Sequence, residues 1–303
     1  MPPQPRPPTH PAAHPSPLAL LAPGVFVVIW STGFLVGRGV AAHADPLWFL
    51  AVRFACVALA FCAAAWWVRA AWPRDWRRIA RHLLAGAMMS GIYLGPSWWA
   101  MARGMPAGVM ALIGSLQPLF TALVAVLWLR QHLPARTWAG LALGFGGVAL
   151  VLAPRLAAAD TGALQWPVVL AAVGSILSLT LGSMVQKSPW LANDDLRSAS
   201  AVQNLGAVAV LLAMALAVGT PHWDGSPALW GYLVFAVGVL SLGGATLLIW
   251  LMRRGEATRT AALLLAVPPL AALEAWLIFG ETLAPVQLLG FVLAMAGVAL
   301  ARR

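Results

Sequence analysis

Proline interrupts two of the chain's apolar stretches near their centres, Pro118 in ALIGSLQPLFTALVAV and Pro268-Pro269 in LLLAVPPLAALEAW. A proline inside a helix has no N–H to donate and frees the carbonyl four residues earlier, here those of Gly114, Leu264 and Leu265. In hydrocarbon a freed carbonyl needs a protein or water partner, so both interrupted helices are expected to face a cavity. The alternative is a kink that serves packing alone. Gln117 and Thr121 fall on the same helical face as Gly114 and would give that cavity a small polar wall.

Two charges lie inside apolar stretches, Arg53 and Glu274. Burying either costs about 2.5 to 3.5 kcal/mol on insertion scales unless it is paired or hydrated. Arg53 follows the start of its stretch by about seven residues and Glu274 precedes the end of its own by about five; at 1.5 Å per residue both sit about 8 to 10 Å below one surface. They are expected to be partners, forming a charge gate or making Glu274 a proton-titrating acid. A fixed structural ion pair, or an Arg53 that snorkels outward, explains them equally well. Gln203 stands about as deep from the opposite surface, and with Asn204 it either lines the path or bonds a neighbouring helix. Trp30 and Trp98 fall near mid-depth as candidate apolar walls. Trp48, Trp66, Trp67 and Trp223 lie at stretch ends, as interfacial anchors do.

The elements that must hold these residues are helices in lipid. The chain has 303 residues, 61% hydrophobic and 9% charged, with a mean hydropathy of +0.83, whereas about a quarter of a soluble domain is charged. That composition excludes an ordinary soluble globule. A net charge of +10 would suggest nucleic acid in a soluble chain, but here the basic residues collect between apolar runs, where they orient the chain in a bilayer. Two cysteines, Cys56 and Cys62, share one apolar run, so neither a disulfide framework nor a metal site is expected. There is no G-x-S-x-G and no H-E-x-x-H, so neither a catalytic residue nor a cofactor is expected.

Apolar runs of about 20 residues occur at 18–37, 46–68, 82–101, 106–129, 134–153, 165–185, 198–218, 228–251, 259–279 and 283–301. The Pro-rich residues 1–17 read as a disordered tail. With ten spans, fifteen cations fall on the N-terminal side and three (Arg38, Arg103 and Arg155) on the other, which predicts both termini in the cytoplasm. Sliding the chain by 150 residues puts Pro118 on Pro268, Gly140 on Gly290, and Gly147-Val148-Ala149-Leu150 on Gly297-Val298-Ala299-Leu300. Five spans per half is an odd number, so the second copy enters the membrane inverted. The expected fold is an all-α integral membrane protein of ten helices in two inverted five-helix repeats, 18–153 and 165–301. The Gly140, Gly144, Gly147 and Gly290, Ala294, Gly297 stripes are expected to pack spans five and ten closely at the periphery. Spans four and nine would line the cavity, with one, two, three, six, seven and eight around it.

At this point the chain resembles a known family. A helix with a mid-span proline, then Gly-Glu-Thr-Leu at 280 to 283, then the Gly-rich GFVLAMAGVAL, is similar to EamA-type transporters of the drug/metabolite transporter superfamily, as are Trp30-Ser31-Thr32-Gly33-Phe34 and Arg53-Phe54. Glu281 has Gln131 as its counterpart in the first half, so a role for that acid exists in one copy only. The resemblance implies a central substrate cavity in the cytoplasmic membrane and transport of small organic solutes, often outward, with protons as a candidate coupling ion. A lipid or lipid-precursor flippase is the alternative, an intramembrane enzyme a more distant one.

Overall fold

The computed structural model of the protein describes residues 17–128, 130, 132–157, 165–191, 194–244, 246–247, 251 and 264–301. Residues 1–16 of the expected tail, Gln131, and residues 252–263, which hold the start of the ninth expected span, lie outside the described residues.

Among the described residues the chain is helical, with one isolated antiparallel bridge, Ala44 to Trp223. The helices are α1 (Pro17–Val40), α2 (Pro46–Trp67), α3 (Trp76–Gly86), α4 (Ile92–Ala102), α5 (Ala107–Ser115), α6 (Gln117–Leu127), α7 (Ala135–Ala157), α8 (Trp166–Gln186), α9 (Leu196–Val218), α10 (Pro227–Phe235), α11 (Val267–Phe279) and α12 (Pro285–Ala301). Six helical segments are long and apolar enough to cross a bilayer, and Pro227–Gly243, Leu264–Phe279 and Pro285–Ala301 are shorter apolar helices. The protein is a multi-pass membrane protein.

Local chemistry sets the starts. Asp45 accepts from the amides of Leu47 and Trp48 ahead of Pro46, and Asp195, 150 residues on, accepts from Arg197. Each fills an amide that the first turn leaves without a partner. Gln287 reaches back to the Ala284 amide and donates to the Val151 carbonyl, so it caps α12 and ties it to α7. The helix leading into the third expected span starts before residue 82, because Asp75 caps it at Trp76, and its first two turns carry Arg77, Arg78 and Arg81.

The first expected helix break occurs, and at the matching position of the second half a 3-10 turn precedes a helix start, the residues before Leu264 lying outside those described. Leu116 (φ −75°, ψ −4°) separates α5 from α6, and Ala266 (φ −80°, ψ −13°) ends the 3-10 turn Leu264–Ala266 ahead of α11. Prolines 118 and 268 stand just beyond, where a helix start has no need of their missing N–H. A second matched pair was not anticipated from the residues. Wider π-type turns join α3 to α4 at Ala87–Gly91 and extend α10 at Ala236–Gly243. Such a turn loosens the carbonyl ladder, and the Met88 carbonyl accepts from Ser178 of α8.

α7 runs along α12, α2 along α9, α4 along α8, and α11 packs on α5 and α1. A Cβ on Gly86 would overlap the backbone of Gln203, and one on Gly206 that of Leu83, so bare glycines let α3 and α9 touch backbone to backbone. α7 and α12 do the same, Gly140 against Gly297 and Gly147 against Gly290. That order makes the two helices antiparallel.

Candidate functional site

The distal end, where α1 finishes and α2 begins, is closed by aromatic packing and by side-chain contacts of acidic residues. Trp98 and Trp223 lie on either side of Phe49, at centroid distances of 5.8 and 6.2 Å, and Trp230 follows Trp223 at 5.9 Å. Glu281 pairs with Arg38 at 3.3 Å and accepts the Ala107 amide at 3.0 Å. This carboxylate caps α5 while holding α1 and the turn after α11 to it.

Below this seal lies a cavity of about 80 Å³. Trp30 and Phe34 of α1 and Tyr93 of α4 supply its aromatic walls, and the two helix breaks bound it, Gly114 to Pro118 from one and Leu264 to Pro268 from the other. A Cβ on Gly114 would make ordinary contact with the Phe34 ring at 3.6 Å, so the two helices meet at this wall. Of the residues expected from the sequence, Trp30, Gly114, Gln117 and Pro268 line this cavity. Its walls come from α1, α4, α5, α6, α8 and the Leu264–Pro268 stretch; α7 and α12 contribute none of them.

The remaining expected residues are placed elsewhere. Thr121 is exposed, its hydroxyl turned back to the Gln117 carbonyl. Trp98 is only 2% exposed and belongs to the distal packing. Asn204 donates to the Ser200 carbonyl of its own helix. Gln203 joins a cluster at the proximal end, donating to Gln186 at 2.8 Å and contacting His82 Nδ1 at 3.2 Å. With Nδ1 accepting, His82 Nε2 is the donor to Asp194 at 2.9 Å, and Arg78 bonds the same carboxylate. This cluster ties α3 to α8 and α9 and does not line the cavity. His82, buried at 1% exposure, was read from the sequence only as a residue near a span end.

The expected pairing of Arg53 with Glu274 is corrected by the structure. Arg53, 6% exposed, donates through Nε and Nη2 to Ser241 Oγ at 3.1 and 3.0 Å and lies by the rings of Phe54 and Trp98. Ser241 sits in the wide turn after α10, whose altered register brings a hydroxyl to the guanidinium. Glu274 Oε1 accepts from Ser31 at 3.0 Å, and its Oε2 is buried with no partner. The expectation of equal depth said nothing of which way each group pointed. Tyr93, Phe34, Ser115 and Leu179 also line the cavity without having been singled out, because aromatic and small residues are common throughout these helices. The described residues contain no group of three or more His, Cys, Asp or Glu able to hold a metal ion.

Comparison with known proteins fits this architecture. The EamA-like transporter family matches twice, over residues 18–153 and 166–303. A "Probable amino-acid metabolite efflux pump" of Salmonella typhimurium is 30% identical over 92% of each chain, and a "Probable terminal-alkyne amino-acid exporter" of Streptantibioticus cattleyicolor is 31% identical over 91% of each. A protein of known crystal structure superposes with a TM-score of 0.61 over 93% of this chain and 95% of its own at 19% identity, a likeness of fold alone. Helices long enough to cross a bilayer, a cavity bounded by paired helix breaks and a family match over both halves lead to one conclusion: the chain belongs to the EamA-like transporter family and is a membrane transporter, not an enzyme.

Proposed function

We propose that this transporter exports a small, amino-acid-like organic solute across the cytoplasmic membrane by alternating access, with the solute held in the cavity between the two helix breaks. The topology we assign is ten spans in two inverted five-helix repeats with both termini in the cytoplasm. The antiparallel pairing of α7 with α12 supports inversion, as do the matched breaks at Leu116 and Ala266. The direction of insertion follows from the excess of cations on the N-terminal side. The distal end is then the external one, and its aromatic packing closes the path there. The printed names of the relatives, amino-acid metabolite efflux pump and amino-acid exporter, support both the class of cargo and the outward direction. Protons are the proposed coupling ion, taken up by Glu274.

The observation that carries this reading is a cavity bounded at once by both interrupted helices, the place where two similar halves can exchange conformations about one ligand. The test is transport by the purified protein in liposomes, with a panel of labelled amino acids and amines, for the wild type and Gln117→Leu. The variant should move its cargo at least tenfold more slowly while remaining monodisperse and inserted. Unchanged kinetics would remove the cavity from the path. A wild type that moves nothing in the panel would overturn the cargo class.

A further inference from the structure

A groove of about 350 Å³ lies between α4, α8 and α9 and shares no lining residue with the central cavity. Ile92, Pro96 and Trp99 come from α4, Gly174 from α8, Met214 and Val218 from α9. Ile92, Gly174 and Val218 are exposed, so the groove opens to the surroundings of the bundle, which for a multi-pass membrane protein are lipid. It exists because α8 is bare at this level: a Cβ on Gly174 would meet nothing within 4 Å. α4 belongs to the first family match and α8 and α9 to the second, so the groove is a seam between the two halves.

Its distal end is polar. Arg103 follows the last residue of α4 and lays its guanidinium over the Trp99 ring, 3.8 Å from the centroid. It is exposed, and no carboxylate among the described residues is within ion-pair distance of it. Arg38, at the same end of the bundle, has Glu281. The indole N–H of Trp99 is buried and meets no acceptor among the described residues, a condition that calls for one. Val218 is the last residue of α9, so α4 and α9 both finish here. From Ile92 to Arg103 the chain advances eleven residues, about 16 Å of helix axis, against about 15 Å for one leaflet of a hydrocarbon core about 30 Å thick. The groove is therefore apolar to the depth of a single leaflet, with an indole donor and an unpaired cation at its outer end.

We propose that this groove holds one acyl chain of a glycerophospholipid from the distal leaflet, its phosphate taken by Arg103 and its ester carbonyl accepting from the Trp99 N–H. The site rests on the membrane fold and not on the nature of the cargo. Arginine suits the phosphate because its planar fork engages two oxygens at once. The ester region lies between chain and headgroup, the level at which interfacial tryptophans find acceptors. A diacylglycerol would fill the groove and leave Arg103 without an anion; a free anion would take Arg103 and leave the groove unused. A chain seated here touches α4 on one side and α8 and α9 on the other, bracing the two halves at the distal end.

The experiment uses the full chain, delipidated in detergent, and native mass spectrometry with three probes: palmitoyl-oleoyl-phosphatidylglycerol, palmitoyl-oleoyl-glycerol, which lacks the phosphate, and inorganic phosphate. The wild type should bind the phospholipid at least tenfold more tightly than the diacylglycerol. Arg103→Gln should cut that preference to less than threefold, and Arg103→Lys should restore part of it. Gly174→Phe fills the groove and should weaken phospholipid binding at least tenfold. Gly146→Phe, at an equally open position of α7, should change it less than twofold. Trp99→Phe keeps the ring, loses the N–H and should weaken binding several-fold. Equal losses in the two glycine variants overturn the groove, and an unchanged preference in Arg103→Gln overturns recognition of the phosphate. Inorganic phosphate bound as tightly as the phospholipid would assign Arg103 to a soluble anion. A dimer that forms without lipid and is lost in Gly174→Phe would assign the groove to a second copy of the chain. Each of these results overturns the lipid site and leaves the transporter reading standing.

Discussion

Gly147 and Gly290 meet so closely that a Cβ built on either would lie 2.6 Å from the other's carbonyl oxygen. No side chain fits there without moving one helix, and overpacking of this kind costs about 1 to 3 kcal/mol. Gly147→Val and Gly290→Val should each lower the thermal midpoint of the detergent-solubilised protein. Gly146→Val is the control on the same helix, since nothing lies within 4 Å of its Cβ position. Equal losses at 146 and 147 would show that close packing is not the cause.

Topology can be checked with cysteines after Cys56 and Cys62 are replaced by alanine. A cysteine at His222, in the loop before α10, should react with an impermeant reagent added outside the cell. One at Arg77, near the start of α3, should react only after permeabilisation. The reverse pattern would invert the assigned orientation.

Proton coupling has a separate readout. Glu274 is hydrogen-bonded only to Ser31 among the described residues, and Arg53 is engaged with Ser241. If a proton and the cargo alternate on this carboxylate, Glu274→Gln should abolish the response of transport to a pH gradient while slow solute exchange persists. Full pH-driven transport in the variant would exclude Glu274 as the coupling group.

The distal loop carries a pH dependence of known sign. The Ser226 amide, and after it the His43 side chain at 2.7 Å, hold the Asp224 carboxyl down to about 2. A carboxyl depressed on folding steadies the folded loop above its ordinary value of 3.8 and loses that effect as the pH falls toward 2. Amide exchange across residues 222–226 should therefore be slower in the wild type than in Asp224→Asn near pH 5, and the two should converge at about pH 2. A difference that persists at the acid end would mean that the ionised carboxylate is not what orders the loop.

Glu281 joins three elements at the closed end, through Arg38 and the Ala107 amide. Losing a helix cap costs about 0.5 to 2 kcal/mol, enough to change the balance between closed and open forms several-fold. Glu281→Ala should raise the labelling rate of a cysteine placed at the cavity residue Ser115 by reagent from the distal side. An unchanged rate would leave Glu281 as a cap with no part in closure.

What the sequence by itself determined is what neighbours along the chain decide. Apolar run lengths made membrane helices, Pro118 and Pro268 each stood at a helix start just beyond backbone that is not α-helical, Asp45 and Asp195 capped their helices, and the 150-residue register brought out the likeness of the two halves. Spacing along a helix axis also followed, because each residue adds 1.5 Å whatever surrounds it. Azimuth did not. Each residue turns about 100°, so one wide turn redirects every side chain beyond it. The turn at Ala236–Gly243 is where Ser241 meets Arg53; local propensity does not specify such a turn. For the same reason Gln203 bonds Gln186 and contacts His82 in place of lining the cavity. Which groups at one depth face each other was settled only when glycine contacts such as Gly86 on Gln203 locked the rotation of one helix against another.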